Sequence, residues 1–239
     1  MIFQLYCPMN DYKMEAAKAA LQFIKPGQTI GLGAGATIAN LAGLIAAERD
    51  HAASLTFTSS SFKTASFLNE KGLTVKPPSL LKHLDIYFDG CDQFDTELNA
   101  LKSGGGIHTT EKILASMADE FILAGDAAKF ATKLDITYPL VIEVIPAALQ
   151  IVLQTLVNDF PGVKLNVRMS NQKDGAVISD NGNMLVDVHF TQLKALDELN
   201  IQIKMIPGVI EHSLFYHMAT KAIIAGEKGV SIITPSYLL

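Results

Sequence analysis

Met14, Ala17, Ala20, Leu21 and Ile24 recur at helical spacing and predict a helix over 14–24, ended by Pro26-Gly27. Residues 29–32 predict a short buried strand that runs into Gly31-Leu32-Gly33-Ala34-Gly35-Ala36-Thr37, with a helix over 38–49 beyond. Strand, glycine turn and helix open a βαβ unit. The alternation continues with a strand over 54–58, a helix over 62–71 and a short strand at 74–75. A strand over 84–88 ends at Asp89-Gly90-Cys91-Asp92, and Ser103-Gly104-Gly105-Gly106 precedes a helix over 109–117. A strand over 120–124 then ends at Gly125-Asp126. Alternation of this kind predicts a mostly parallel sheet with helices on both faces.

After about residue 137 the pattern changes. It predicts a strand over 140–145, a helix from Pro146 to 158 and a strand over 163–168. Strands over 175–179 and 183–188 flank Asp180-Asn181-Gly182, a hairpin signal. A helix over 193–199 and a strand over 209–214 complete a split βαβ pattern, which is that of a small ferredoxin-like α+β domain. Strands at 222–225 and 230–233 return to the first sheet. The expected division is therefore 1–136 with 212–239 for the α/β domain and 137–211 for the small one. Internal repeats and low-complexity tracts are lacking.

Composition narrows the classes. Of 239 residues, 49% are hydrophobic and 18% charged, which excludes disorder. Nineteen Lys+Arg against 24 Asp+Glu give a net charge of −5, so no basic excess points to nucleic acid. Two cysteines, Cys7 and Cys91, rule out a disulfide scaffold. Mean hydropathy is positive (+0.26), yet the most apolar stretch, 136–157, is interrupted by Pro139, Glu143 and Pro146. A membrane span needs about 20 uninterrupted apolar residues, so no membrane association is expected. The N-terminus lacks the basic region of a signal peptide, and with sparse cysteine this predicts a cytoplasmic protein.

Four constellations could carry chemistry, each near the carboxyl end of a predicted strand, where open α/β sheets bind ligands. In Gly33-Ala34-Gly35-Ala36-Thr37, glycines let backbone N–H groups approach an anion at a helix N-terminus, with Thr37 as the one hydroxyl. The strict dinucleotide fingerprint is not met, which argues against nicotinamide; a ligand-free βα turn fits the same residues. Asp89 and Asp92 could serve as acid and base, orient hydroxyls, hold a divalent cation or simply shape a turn, and Cys91 between them reads as a small packed residue. Lys102-Ser103-Gly104-Gly105-Gly106 with Glu111 sets a cation and a carboxylate around a loop whose glycines are costly in chain entropy unless a ligand approaches closely. A capping role for Glu111 in the first helical turn is the plainer alternative. Asp126-Ala127-Ala128-Lys129 offers a helix cap and a second cation. The six histidines show no zinc-ligand spacing, so no metal is expected.

Taken in order, Gly31–Thr37, Tyr87-Phe-Asp-Gly-Cys-Asp92, Leu101-Lys-Ser-Gly-Gly-Gly106, Thr110-Glu-Lys-Ile-Leu114 and Asp126-Ala-Ala-Lys129 resemble the type A ribose-5-phosphate isomerases. Glu143-Val-Ile-Pro146, Asp180-Asn-Gly-Asn183, Asp187-Val-His189 and Ile206-Pro-Gly-Val209 extend the resemblance over nearly the whole chain. It implies a Rossmann-like α/β domain and an isomerase acting on a phosphorylated pentose, without metal or organic cofactor, in a homodimer or homotetramer. It further implies Glu111 as the base, Asp89 in ring opening and Asp92 on sugar hydroxyls. Lys102 would stabilise an oxyanion together with loop N–H groups around Ser103, Gly104 and Gly105. The phosphate would lie on Gly33, Ala34, Gly35, Ala36 and Thr37 with Lys129 and Lys13, and Gly90 and Cys91 would line the sugar. The chain departs from the family's usual residues at Ala34, Ala36, Cys91, Gln93 and Ser103; the two alanines remove phosphate-facing hydroxyls and imply weaker phosphate affinity. A sugar-phosphate sensor without turnover and a CoA-transferase-like enzyme are the competing readings.

Overall fold

In the computed structural model the described residues are 11–238; Cys7 and the N-terminal stretch read for a signal peptide lie outside them. The α/β part begins with α1 (Tyr12–Leu21), capped by Asp11, whose carboxylate accepts from Met14 N–H at 3.2 Å. It is followed by β1 (Thr29–Leu32), α2 (Ala36–Ala47), α3 (Arg49–Ala52), β2 (Thr56–Ser59) and α4 (Phe62–Glu70). Next come β3 (Leu84–Asp89), the short β4 (Gln93–Phe94) and β5 (Ala100–Leu101), α5 (His108–Met117) and β6 (Ala118–Asp126). The small domain holds β7 (Leu140–Val144), α6 (Leu149–Asp159), β8 (Lys164–Val167), β9 (Met184–His189), α7 (Leu196–Lys204) and β10 (Val209–His212). The chain then returns through β11 (Leu214–Phe215), β12 (Lys221–Gly226) and β13 (Gly229–Ile233).

The main sheet runs β13-β12-β6-β3-β1-β2, parallel throughout except for β13 at its edge. Alternate residues on a strand face opposite sides. Ile86 and Phe88 of β3 and Ile122 and Ala124 of β6 pack with α1, α2 and α4, whereas Tyr87, Phe121 and Leu123 pack on the other face with α5. The strand order reverses between β1 and β3, which opens a crevice beyond their carboxyl ends. The second sheet is fully antiparallel in the order β10-β7-β9-β8, with α6 and α7 on one face, as the ferredoxin-like reading expects.

Some elements differ from expectation for local reasons. The strand expected over 209–214 is two strands, because Ser213 passes between sheets: its N–H donates to Val141 O (2.8 Å) while its carbonyl accepts from Lys102 N–H (3.0 Å). Residues 175–179 make only isolated bridges at Ala176 and Ile178, and 74–75 a single bridge from Val75 to Phe57. The helix expected over 193–199 is shifted to Leu196–Lys204, because burial of Leu199 and Ile203, four apart, sets its inner face. β4 and β5 are too short to give a periodic signal; they pair with each other, and β5 also pairs with β11, in a third sheet.

Candidate active site

The crevice is built first by Asp89, the last residue of β3. Its Oδ1 accepts from the N–H groups of Ala34 (3.1 Å) and Gly90 (2.8 Å), and its Oδ2 accepts the Tyr87 hydroxyl, which also meets Ser60 Oγ at 3.2 Å. The carboxylate thus ties the β1–α2 loop to β3. Gly33 cannot carry a side chain there, since a Cβ would lie 1.9 Å from Asp89 Oδ1. Gly35 opens α2 at φ +99°, a conformation L-residues rarely adopt, and leaves the helix N-terminus facing the crevice.

Lys102 follows β5 and is 6% exposed; Asp89 is 0% and Glu111 5% exposed. Lys102 Nζ lies 2.9 Å from Asp89 Oδ2 and 3.3 Å from Glu111 Oε1, and donates to the Gly90 carbonyl. Below it lies the Phe215 ring, 5.6 Å from Nζ to centroid. Buried charges persist only when paired, and here two carboxylates share one ammonium. Burial works against charge on Lys102, but Asp89 and Glu111 outweigh it and hold the ammonium above its ordinary range. Glu111 is pushed up to about 8, by burial first and the Asp89 carboxylate second, with Lys102 opposing. Tyr87 is raised by burial and by Asp89.

Around this triad lies a cleft of about 230 Å³. Thr37, the Ala34–Ala36 loop, Lys13, Lys129, Gly90, Cys91, Asp92 and Gly105 line it together with the triad. Lys129 Nζ donates to the Cys91 carbonyl, and burial pushes the Cys91 thiol up to about 12, which fits a packed residue and not a nucleophile. Gly33, Ser103 and Gly104 stand behind the lining. Ser103 and Gly104 donate their N–H groups to Asp92 Oδ2 (the latter at 2.9 Å), and Ser103 Oγ donates to Pro139 O.

Residues 56–229 match the family model for ribose 5-phosphate isomerase A (phosphoriboisomerase A). The chain belongs to the ribose 5-phosphate isomerase A family. It is 32% identical over 228 residues to the ribose-5-phosphate isomerase A of Prochlorococcus marinus (strain MIT 9211), covering 92% of this chain and 95% of that one. The structure of ribose 5-phosphate isomerase A from Methanocaldococcus jannaschii superposes with a TM-score of 0.86 at 34% identity, over 94% and 98% of the two chains. A D-ribose-5-phosphate isomerase in complex with phospho-erythronic acid superposes with a TM-score of 0.87 at 32% identity, over 93% and 97%. Among the described residues, no helix of this family member is long and apolar enough to cross a membrane.

Several residues at the site were not singled out from sequence. Tyr87 opens one of the motifs that carry the family resemblance, but the sequence assigns it no role of its own. Glu143 is 1% exposed and accepts from Ser179 Oγ (2.6 Å), Asn183 Nδ2 (2.8 Å), Asn181 Nδ2 (3.1 Å) and Thr109 Oγ1. Although burial opposes ionisation, these donors together hold it below the usual carboxylate range. The donors join the Asn-Gly turn to the first turn of the helix that bears Glu111. The motifs were visible in the sequence, but their meeting was not.

Proposed function

We propose that this isomerase A family member interconverts ribose 5-phosphate and ribulose 5-phosphate at this cleft, moving a proton between C2 and C1 through an enediol(ate). The observation that carries the reading is the buried Lys102 ammonium between Asp89 and Glu111 beside a glycine-lined anion site. Asp89 relays the C1 hydroxyl proton to the departing ring oxygen, giving the open aldehyde. Glu111 as carboxylate takes the C2 proton and returns it to C1, while the O2 proton passes to O1. A base whose conjugate acid titrates near 8 is matched to both halves of that exchange. Lys102, itself buried, offsets the negative charge that builds on the sugar oxygens. Asp92 holds the glycine loop and meets sugar hydroxyls; Thr37, the α2 N-terminus, Lys129 and Lys13 hold the phosphate. No step calls for a metal or an organic cofactor.

The test is ketose formation from ribose 5-phosphate with EDTA present. Turnover by wild type and a loss of about 10³-fold or more in Glu111→Gln are expected, on the scale of removing a positioned base. A wild type inactive at millimolar substrate would overturn the reading. Unchanged turnover in the variant would remove Glu111 as base. The protein is further proposed to be cytoplasmic and to work as a homodimer or homotetramer, for which exposed Ile201, Met205 and Ile151 supply apolar surface. Light scattering at micromolar concentration should give a multiple of the chain mass; a monomer contradicts the assembly.

A further inference from the structure

The glycine loop has a second anchor, on the far side from Asp92. Arg168, just past β8 in the small domain, donates from Nη2 to the Ser103 carbonyl (2.9 Å) and from Nη1 to the Gly104 carbonyl (3.3 Å). Its guanidinium is oriented by Asp187 of β9, which accepts from Nη2 and from Nε (3.4 Å). The Arg168 backbone is fixed as well, its N–H on Leu185 O (2.9 Å) and its carbonyl accepting from Val177 N–H (2.8 Å).

A trans peptide is planar, with its carbonyl and N–H pointing in opposite directions. The described chain has no cis peptide, so each carbonyl that Arg168 captures dictates where the following N–H points. The Ser103–Gly104 peptide illustrates this: with its carbonyl on Arg168, its N–H reaches Asp92 Oδ2 at 2.9 Å. The next peptide is held in the same way through the Gly104 carbonyl, so the Gly105 N–H is turned away from Arg168. Gly105 lines the cleft, and no acceptor takes its N–H among the described residues.

We propose that Arg168, oriented by Asp187, is a positioning residue that sets the Gly104–Gly105 peptide so that its N–H joins Lys102 in stabilising the oxyanion. The inference rests on the isomerase reading and adds to it a role for the small domain. Glycine at 104 and 105 leaves those peptides free to rotate, so a distant clamp is needed to hold one orientation. Arg suits the task because its planar fork reaches two carbonyls while its remaining N–H groups engage one carboxylate.

The test compares wild type with Arg168→Met, which keeps the apolar stem, and with Arg168→Lys, which keeps the charge without the fork. Three quantities are read below the melting temperature: kcat and KM on ribose 5-phosphate, the inhibition constant of a four-carbon aldonic acid phosphate, and the affinity for inorganic phosphate. The carboxylate of the aldonic acid stands in for the enediolate oxygens. Arg168→Met should lower kcat by about 10- to 100-fold, somewhat less than outright removal of an oxyanion donor, with KM within about threefold. Aldonic acid binding should weaken by a factor similar to the kcat loss, phosphate affinity should hold, and Arg168→Lys should fall between. Unchanged kcat, or equal weakening of phosphate and aldonic acid, overturns the proposal. Should Arg168→Met fail to fold, Arg168→Lys and Asp187→Asn are read by the same criteria. An inactive wild type overturns the isomerase reading itself, whereas an active wild type with unaffected variants overturns only the role of Arg168.

Discussion

Glu111 shows how a single residue takes its chemistry from its surroundings. A glutamate in a first helical turn is ordinarily a solvated cap; here it is buried beside Asp89 and Lys102 and titrates near 8. As the proposed base it must be ionised, so kcat/KM for ribose 5-phosphate should rise with pH through an apparent pKa near 8. A pH–rate profile that is flat between about pH 6 and 9 rejects this. The sign for stability is opposite. A carboxyl raised above its unfolded value binds its proton more tightly when folded, so its contribution to stability is lost as pH rises from about 4.5 towards 8. The ionised form that the proposed role of Glu111 requires is therefore the form the fold disfavours.

Among the elements, α5 is tied to the small domain through its first half. Thr109 in its first turn reaches the Glu143 cage, and Lys112 one turn on donates to Glu211 Oε1 (2.9 Å) and His212 O (2.7 Å) of β10. Glu143→Ala removes the acceptor from four donors. It should cost about 3 kcal/mol, a fall in Tm of roughly 6–12 °C for a chain of this size; Glu143→Gln, which keeps one acceptor oxygen, should cost less. Thermal unfolding followed by circular dichroism decides it, and a loss in Glu143→Ala below about 1 kcal/mol rejects the cage as a stabilising unit. The pattern of apolar positions made α5 and the long strands of the main sheet readable, because each repeats its period over several residues. It could not resolve β4, β5 or the break at Ser213, where pairing with another sheet decides the conformation.

For the whole molecule, the interface between the domains buries polar groups that stay neutral. His108 is lowered to about 4 and His212 to about 3, in both cases by burial and then by the Lys112 ammonium. Glu211 faces both and opposes the shift, and Lys204 adds a further positive charge through its pair with Glu211. A histidine depressed below its unfolded value binds more protons when unfolded, so stability is full above about pH 6.5 and is lost as pH falls. At pH 5 the loss is on the order of 2 kcal/mol per histidine. Urea unfolding at pH 7 and pH 5 should show that His212→Gln loses less stability than wild type between the two. Since Glu111 is present in both proteins, its opposite trend cancels from this comparison, and equal losses would rule the interface histidine out.

By itself the sequence determined the alternation of strands and helices, the glycines at the crevice and the acidic and basic residues near the strand ends. All of these are local: a period, a turn or a short motif carries them. Tertiary structure alone decided which of those residues share charge, why Glu111 titrates near 8, and which motifs serve the site from a distance. Arg168 meets the Ser103 and Gly104 carbonyls across 65 and 64 residues of chain, and Thr109 meets Glu143 across 34. Such contacts depend on how the two sheets are packed together, and no local pattern encodes the burial, pairing and peptide orientation that this packing imposes.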